Sequence, residues 1–189
     1  MVIAVALDES ADLIEPFMEG ITLPVLLDRE HTLSETYAIT NVPSVVWIDE
    51  DDHIVRPNSV IFSNDMFKEF TGAESGPHLD ALRAWVHDGT APMTDAEARD
   101  AVPDLSDDEV RARLHFRVAV EARRRGDDDL ARRHFVRAGE LAPMDFTVRR
   151  AAMPLMGEDP FGSDFMELFG EWQAAGSPFH GLPPMNTAP

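Results

Sequence analysis

The stretch Asn41-Val42-Pro43-Ser44-Val45-Val46-Trp47-Ile48-Asp49 decides how the first half of the chain is interpreted. A proline is followed here by a continuous apolar run rich in β-branched and aromatic residues, which is typical of a strand buried on both faces. Four consecutive acidic residues occupy positions 49–52, and Ile54-Val55-Arg56 comes next. This order predicts an antiparallel hairpin whose loop is longer than the minimum.

The residues before this stretch alternate between strand and helix patterns. The apolar run Val2 to Leu7 predicts another buried strand. A helix over 10–19 follows, although Pro16 removes one of its hydrogen bonds. A short strand over 24–28 comes next, and Asp28 is placed to cap a helix over 30–38. The first half of the chain therefore reads as strand, helix, strand, helix, and then the hairpin.

Taken together, these segments resemble the C-terminal two-thirds of a thioredoxin-like redoxin, the group of disulfide reductases and peroxiredoxins. The resemblance covers residues 2–90, with a helix over 78–88 as the closing helix. It implies a cis peptide bond before Pro43 and one mixed sheet that contains Val2 to Leu7 and Val45 to Ile48. It also implies that Val42, Pro43 and Ser44 form a loop to which an extended peptide binds by strand addition.

One departure from the family is severe, because the chain contains no cysteine. The strand–helix unit that carries the nucleophilic thiol in a redoxin has no counterpart after Met1, and no serine or threonine can form a mixed disulfide. We therefore expect no catalytic residue and no cofactor. A missing central strand would leave two strand edges open. Three remedies remain: direct pairing of the two strands, insertion of Val60 to Phe62, or a partner chain such as a second copy.

The start of the coding sequence offers another explanation for the missing unit. A start codon assigned too late would hide an upstream strand and helix with a Cys-x-x-Cys or single-Cys motif. The sequence as given has no basic segment and no long apolar run at its beginning, so a cytoplasmic protein is expected.

The charge of the chain argues against two classes of binding partner. The net charge is -19, from 35 acidic and 16 basic residues, which makes nucleic acid and membrane surfaces poor partners. The seven histidines form no HxH or HExxH spacing, and the acidic turn lacks the glycine and distal glutamate of a calcium loop. We predict no metal site. A protein or peptide partner is expected instead.

The second half of the chain predicts helices. A linker over 91–105 contains a short helix that begins with the capping box Thr94 to Glu97, and the capping box Ser106 to Glu109 begins a long helix over 107–125. Residues 106–156 resemble one tetratricopeptide unit. The residues that carry this resemblance are Ala131, Phe135, Ala138 and Pro143. This pair of helices either packs on the chain itself, which a single unit favours, or captures a peptide.

Two further features have alternative interpretations. Arg123, Arg124 and Arg125 form either an anion or RNA site or, as the net charge favours, a solvated helix face that docks on the acidic body. Residues 157–189 contain an amphipathic helix over 164–175 and a proline-rich tail that we expect to be loose. The aromatic face of that helix either grips a partner or, as is more common, lies on its own core.

The predicted fold class is therefore α/β: an N-terminally incomplete thioredoxin-like sheet with flanking helices over 1–90, plus a small all-α C-terminal region. The expected function is that of a redoxin by descent that is catalytically incomplete and binds peptide at its proline loop. Two alternatives stay open. One is a non-enzymatic scaffold that uses the tetratricopeptide-like hairpin, and the other is a fragment of an active redoxin whose true start lies upstream.

Overall fold

The computed structural model describes residues 1–61, 64–66, 68–71, 73–178, 180–183 and 185, without the side chains of residues 70 and 71. The described chain is mixed α/β and rich in helix. Its strands are β1 (Ala4–Ala6), β2 (Val25–Leu27), β3 (Ser44–Ile48) and β4 (Ile54–Val60). Its helices are α1 (Ala11–Ile14), α2 (Thr32–Thr36), α3 (Lys68–Thr71), α4 (Ser75–Asp88), α5 (Asp95–Asp100), α6 (Asp107–Arg124), α7 (Asp128–Leu141), α8 (Phe146–Leu155) and α9 (Ser163–Ala174). No described helix is both long and apolar enough to span a bilayer.

The strands form two separate pairs. β1 lies parallel to β2, with Ala4 opposite Val25. β3 lies antiparallel to β4, with register shifts around Trp47. The predicted hairpin is confirmed, and β4 continues to Val60 rather than ending at Arg56.

The predicted single mixed sheet is wrong for the described residues, because β1 and β3 belong to different two-stranded sheets. No third strand in the described part of the chain pairs with β1, and none connects it to β3. Direct closure of the two strands therefore does not occur. Val60 extends β4 instead of filling a gap, and Phe62, from the Val60 to Phe62 run, lies outside the described residues.

The chain divides into two compact units. The first unit contains residues 1–36 and 105–178, and the second contains residues 37–104 and 179–189. This division differs from the predicted boundaries near 90 and 105, because the first strands and helices group with the C-terminal helices. Within the first unit, Arg117 on α6 explains part of that grouping: its guanidinium bonds the Glu30 carbonyl and the Glu35 carboxylate, both at 2.7 Å.

The core of the first unit lies between α6, α7 and α8. Phe116 and Phe135 meet edge to face, with ring centroids 5.5 Å apart, and Val148 of α8 is fully buried beside them. Small side chains at the other inward positions let the helices approach closely. These are Ala119, Ala122, Ala131, Ala138 and Ala152. The prediction that the helical hairpin packs against the helix that follows it is confirmed.

Helix α9 lies on a smaller core of the same unit. Its Leu168 is buried with Phe146 and Met153 of α8, and Phe165, Phe169 and Trp172 pack around them. The Trp172 ring meets Phe146 edge to face at 5.6 Å, and its Nε1 donates to the carbonyl of Pro178 at 2.7 Å. The expectation that the aromatic face lies on its own core is confirmed.

The helix predicted over 10–19 is shorter than expected. α1 ends at Ile14, and a single 3-10 turn, Glu15–Phe17, follows. Pro16 explains the change, since it cannot donate the hydrogen bond that would continue the α-helix. Ser10 stands at the cap position of α1, but its side chain makes no capping hydrogen bond.

Candidate functional site

The three residues of the predicted peptide site lie together in the turn that leads into β3. The Val42–Pro43 bond is cis. The Val42 N–H donates to Asn41 Oδ1 at 2.8 Å, and the Ser44 hydroxyl donates to the Asn41 carbonyl at 2.7 Å. Val42 is 41% exposed, and its carbonyl has no partner in the part of the chain that the structure describes. One backbone group of Val42 is therefore open to a ligand, whereas the other is held by Asn41.

Several polar side chains of β4, in the same unit, are buried: Arg56, Asn58 and Ser59. Their burial was not predicted from the sequence. Arg56, opposite Trp47 in the hairpin, is only 6% exposed. No described carboxylate lies within ion-pair distance of its guanidinium, and its Nε has no hydrogen-bond partner. Burial lowers the pKa of Arg56, and burial together with the charge of Arg56 lowers the pKa of His78. Trp47 stacks on Trp85 with ring centroids 5.3 Å apart.

Residues 180–183 lie along the edge of β4. The Leu182 N–H donates to the Asn58 carbonyl at 2.8 Å, and Leu182 forms a parallel bridge with Ser59. The Pro183 carbonyl accepts a hydrogen bond from Arg56 Nη2 at 3.4 Å. The expectation of a loose tail is wrong for these described residues, because backbone and side-chain contacts hold them on the hairpin.

The first unit contains a buried ion pair with a structural role. Arg113 Nη1 lies 2.8 Å from Asp145 Oδ2, and both side chains are almost fully buried. Asp145 also caps α8, because its Oδ1 accepts hydrogen bonds from the N–H of Thr147 at 2.9 Å and from its hydroxyl at 2.6 Å. Burial raises the pKa of Asp145, and the Arg113 charge opposes that change. The pair ties α6 to the start of α8.

His31 is the second buried ionisable group of this unit. Its ring stacks on Phe116 at 4.4 Å and is 1% exposed. Neither ring nitrogen makes a well-formed hydrogen bond in the described structure. Burial lowers the pKa of His31 to about 4, a change that the nearby Leu7 carbonyl and the Asp28 charge offset only in part. His31 is therefore neutral near pH 7.

The arginine-rich face of α6 is neutralised by acids of its own unit. Arg117 pairs with Glu35 at 2.7 Å, and Arg123 pairs with Glu9 at 3.1 Å. Arg124 lies 3.9 Å from Glu30. Arg123 and Arg124 therefore lie against acidic residues of the same unit, whereas Arg125, 75% exposed, pairs with Glu121 of α6 itself at 2.7 Å.

The histidines gather into one pair but not into a larger cluster. His115 lies on α6 and His134 on α7, and their Nδ1 atoms are 2.8 Å from each other. Among the described residues, no group of three or more histidine, aspartate or glutamate side chains is placed to hold a metal ion. The two imidazoles share a hydrogen bond across α6 and α7.

We compared the chain with known protein families, curated proteins and solved structures. No family model matches the chain, and neither a curated protein nor a solved structure matches it. The class that the fold itself defines is a mixed α/β protein with two small sheets.

Proposed function

We propose that this chain is a thioredoxin-like redoxin of thiol–disulfide oxidoreductase descent that performs no disulfide chemistry and binds an extended peptide at its proline loop. With no cysteine in 189 residues, it has no thiolate to form a mixed disulfide. The observation that carries the proposal is the exposed turn at Val42, where an open carbonyl precedes β3. A backbone carbonyl in this position can pair with the N–H of a peptide without any cysteine.

The strand pairs are compatible with this descent. The parallel pair β1–β2 is joined by α1, and the antiparallel hairpin β3–β4 follows the loop. The antiparallel pairing of β4 with β3 is the one that the redoxin resemblance implies for these segments. Among the described residues, no strand joins the two pairs into one sheet.

The test combines an activity assay with a binding assay. The purified chain should reduce insulin disulfides no faster than the background reaction with dithiothreitol alone. The reduced and carboxymethylated insulin B chain serves as an extended-peptide probe, and we expect it to shift the NMR signals of Val42 and Ser44. Reduction above background, or binding that leaves these two signals unchanged, would refute the proposal.

Asn41 supplies a sharper variant. Because its side chain holds the Val42 N–H at 2.8 Å, Asn41→Ala frees a second backbone group for strand addition and should tighten peptide binding several-fold. Asn64→Ala is the matched control, since Asn64 Oδ1 also accepts a backbone N–H, that of Met66, at 3.0 Å. Equal effects of the two substitutions would contradict a role for Val42.

An apolar surface in the first unit favours a second candidate function. Large apolar side chains are exposed just before β1, between β1 and β2, and on β2: Val2, Ile3, Leu13, Phe17, Ile21 and Leu26. Exposed apolar side chains that lie together mark a surface on which another element packs. We propose as the alternative that a further strand–helix unit with a redox cysteine covers this surface and pairs with the open edge of β1 to give an active redoxin.

The coding sequence tests this alternative. Translation of the DNA upstream of the Met1 codon should continue in frame for roughly 20–50 codons and encode a strand and a helix with cysteine. The extended chain should then reduce insulin disulfides. An in-frame stop codon immediately before Met1 would exclude the alternative. In that case size-exclusion chromatography should show a dimer, with a second copy covering the same edge.

A further inference from the structure

The β4 edge already holds a peptide, namely residues 180–183 of the same chain. The contact has the form of strand addition, because the Leu182 N–H donates to the Asn58 carbonyl at 2.8 Å and the bridge to Ser59 is parallel. Pro183 and Pro184 have no N–H, so neither can donate a further backbone hydrogen bond to β4. An edge strand that accepts one short segment of its own chain has the geometry to accept another.

Residues 180–183, which occupy this edge, bring no carboxylate to the positively charged Arg56. Arg56 is buried, yet among the described residues the only hydrogen-bond acceptor of its guanidinium is the Pro183 carbonyl, at a long 3.4 Å. Its Nε has no partner. A buried guanidinium is normally satisfied by a carboxylate, which accepts two of its hydrogen bonds side by side. The tail has a neutral carbonyl at that point.

We propose that the β4 edge is a binding site for an extended peptide that carries an aspartate or glutamate directly after the residue paired with Asn58. Residues 180–183 are a weak ligand that covers the site within the chain. An acidic peptide replaces the tail because it keeps the backbone bond to Asn58 and brings a carboxylate to Arg56. This site lies on β4 and goes beyond the proline loop of the proposed function.

Two synthetic peptides test the proposal on the intact chain. The first has the sequence of residues 178–185, and the second is the same peptide with Pro183→Asp. In the wild-type chain, hydrogen exchange of the Leu182 amide reports whether the tail is bound, since that N–H is held by Asn58. We expect the acidic peptide to accelerate this exchange at a concentration about tenfold or more below that required of the tail peptide.

Arg56→Gln provides the specificity control. Gln keeps a polar side chain at the position but cannot pair with a carboxylate as a cation, so the advantage of the acidic peptide should disappear. Arg83→Gln is matched to it, because Arg83 is exposed and pairs only with Asp80 at 2.7 Å on the surface of α4. That variant should keep the tenfold difference. An acidic peptide with Leu182→Pro, which has no N–H for Asn58, should not displace the tail.

Three results would overturn the proposal. They are a Leu182 amide that stays protected at saturating acidic peptide, equal potency of the two peptides on the wild-type chain, and an acidic advantage that persists in Arg56→Gln. If Arg56→Gln does not fold, the proposal is still tested by comparing the potency of the two peptides on the wild-type chain. Binding at the proline loop would instead shift Val42 and leave the Leu182 amide protected, so the two sites are distinguished in one experiment.

Discussion

The buried histidine of the first unit makes stability depend on pH in a direction that can be worked out. Burial sets the pKa of His31 at about 4 in the folded chain, against 6.5 for a solvated histidine. Between these values the unfolded chain binds the proton more readily than the folded chain does. The contribution of neutral His31 to the free energy of unfolding is therefore fully present above about pH 6.5 and is lost as the pH falls toward 4.

The size of the loss follows from the interval. At about 1.4 kcal/mol per pH unit, the separation of the two pKa values corresponds to about 3 kcal/mol of unfolding free energy. Urea unfolding followed by circular dichroism, at pH values from 7 to 4, measures it. His31→Phe keeps an aromatic ring on Phe116 but cannot take up a proton, so the difference between the wild-type chain and this variant isolates His31.

This reasoning would be refuted if the wild-type chain and His31→Phe gave parallel curves of unfolding free energy against pH. If the unfolding free energies of the wild-type chain and of His31→Phe change equally between pH 6.5 and 4, His31 does not control the acid sensitivity. His53→Gln serves as the control for histidine content, because the His53 side chain is 70% exposed. We expect it to follow the wild-type curve.

Three further predictions concern the first unit and are measured by thermal or urea unfolding. Arg113→Met should destabilise it by about 3–5 kcal/mol because it leaves the Asp145 charge buried and unpaired, whereas Arg111→Met, which removes an exposed pair at 3.3 Å, should change stability by less than about 1 kcal/mol. Phe135→Ala should lower stability by about 3–5 kcal/mol through the cavity that it creates, and a value below about 1 kcal/mol would contradict the described core. Ser106→Ala should lower it by about 1 kcal/mol through loss of the α6 cap, and no change would mean that the capping box does not form in solution.

Local signals in the sequence predicted the helix starts well. Both capping boxes form as expected: the Thr94 and Ser106 hydroxyls accept from the N–H groups of Glu97 and Glu109, which bond back. Asp28 likewise caps α2, accepting from three backbone N–H groups. Such caps depend only on residues a few positions apart in the sequence, so they can be predicted without knowing the rest of the fold.

The same local signals could not predict the strand pairing or the buried charges, because these depend on contacts between residues that are distant in sequence. The residues around Val2 to Leu7 do not indicate which strand will pair with this one. No prediction was made for Arg113 from the sequence, although it lies three residues before the buried Phe116 on the same helix, and that spacing could have indicated an inward position. Its partner Asp145 lies 32 residues away. The polar face around Arg56 offered a similar clue, a lone arginine within a strand.

The division of the chain also sets an order in which it can fold. The first unit is assembled from residues 1–36 and 105–178, so its opening strands leave the ribosome long before the helices that bury Phe116 and Phe135. Residues 37–104, which form most of the other unit, are made in between. During synthesis β1 and β2 therefore wait for the helices that complete their unit. Premature termination near residue 104 would release these strands without α6 to α9, and we expect the first unit of such a fragment to stay unfolded.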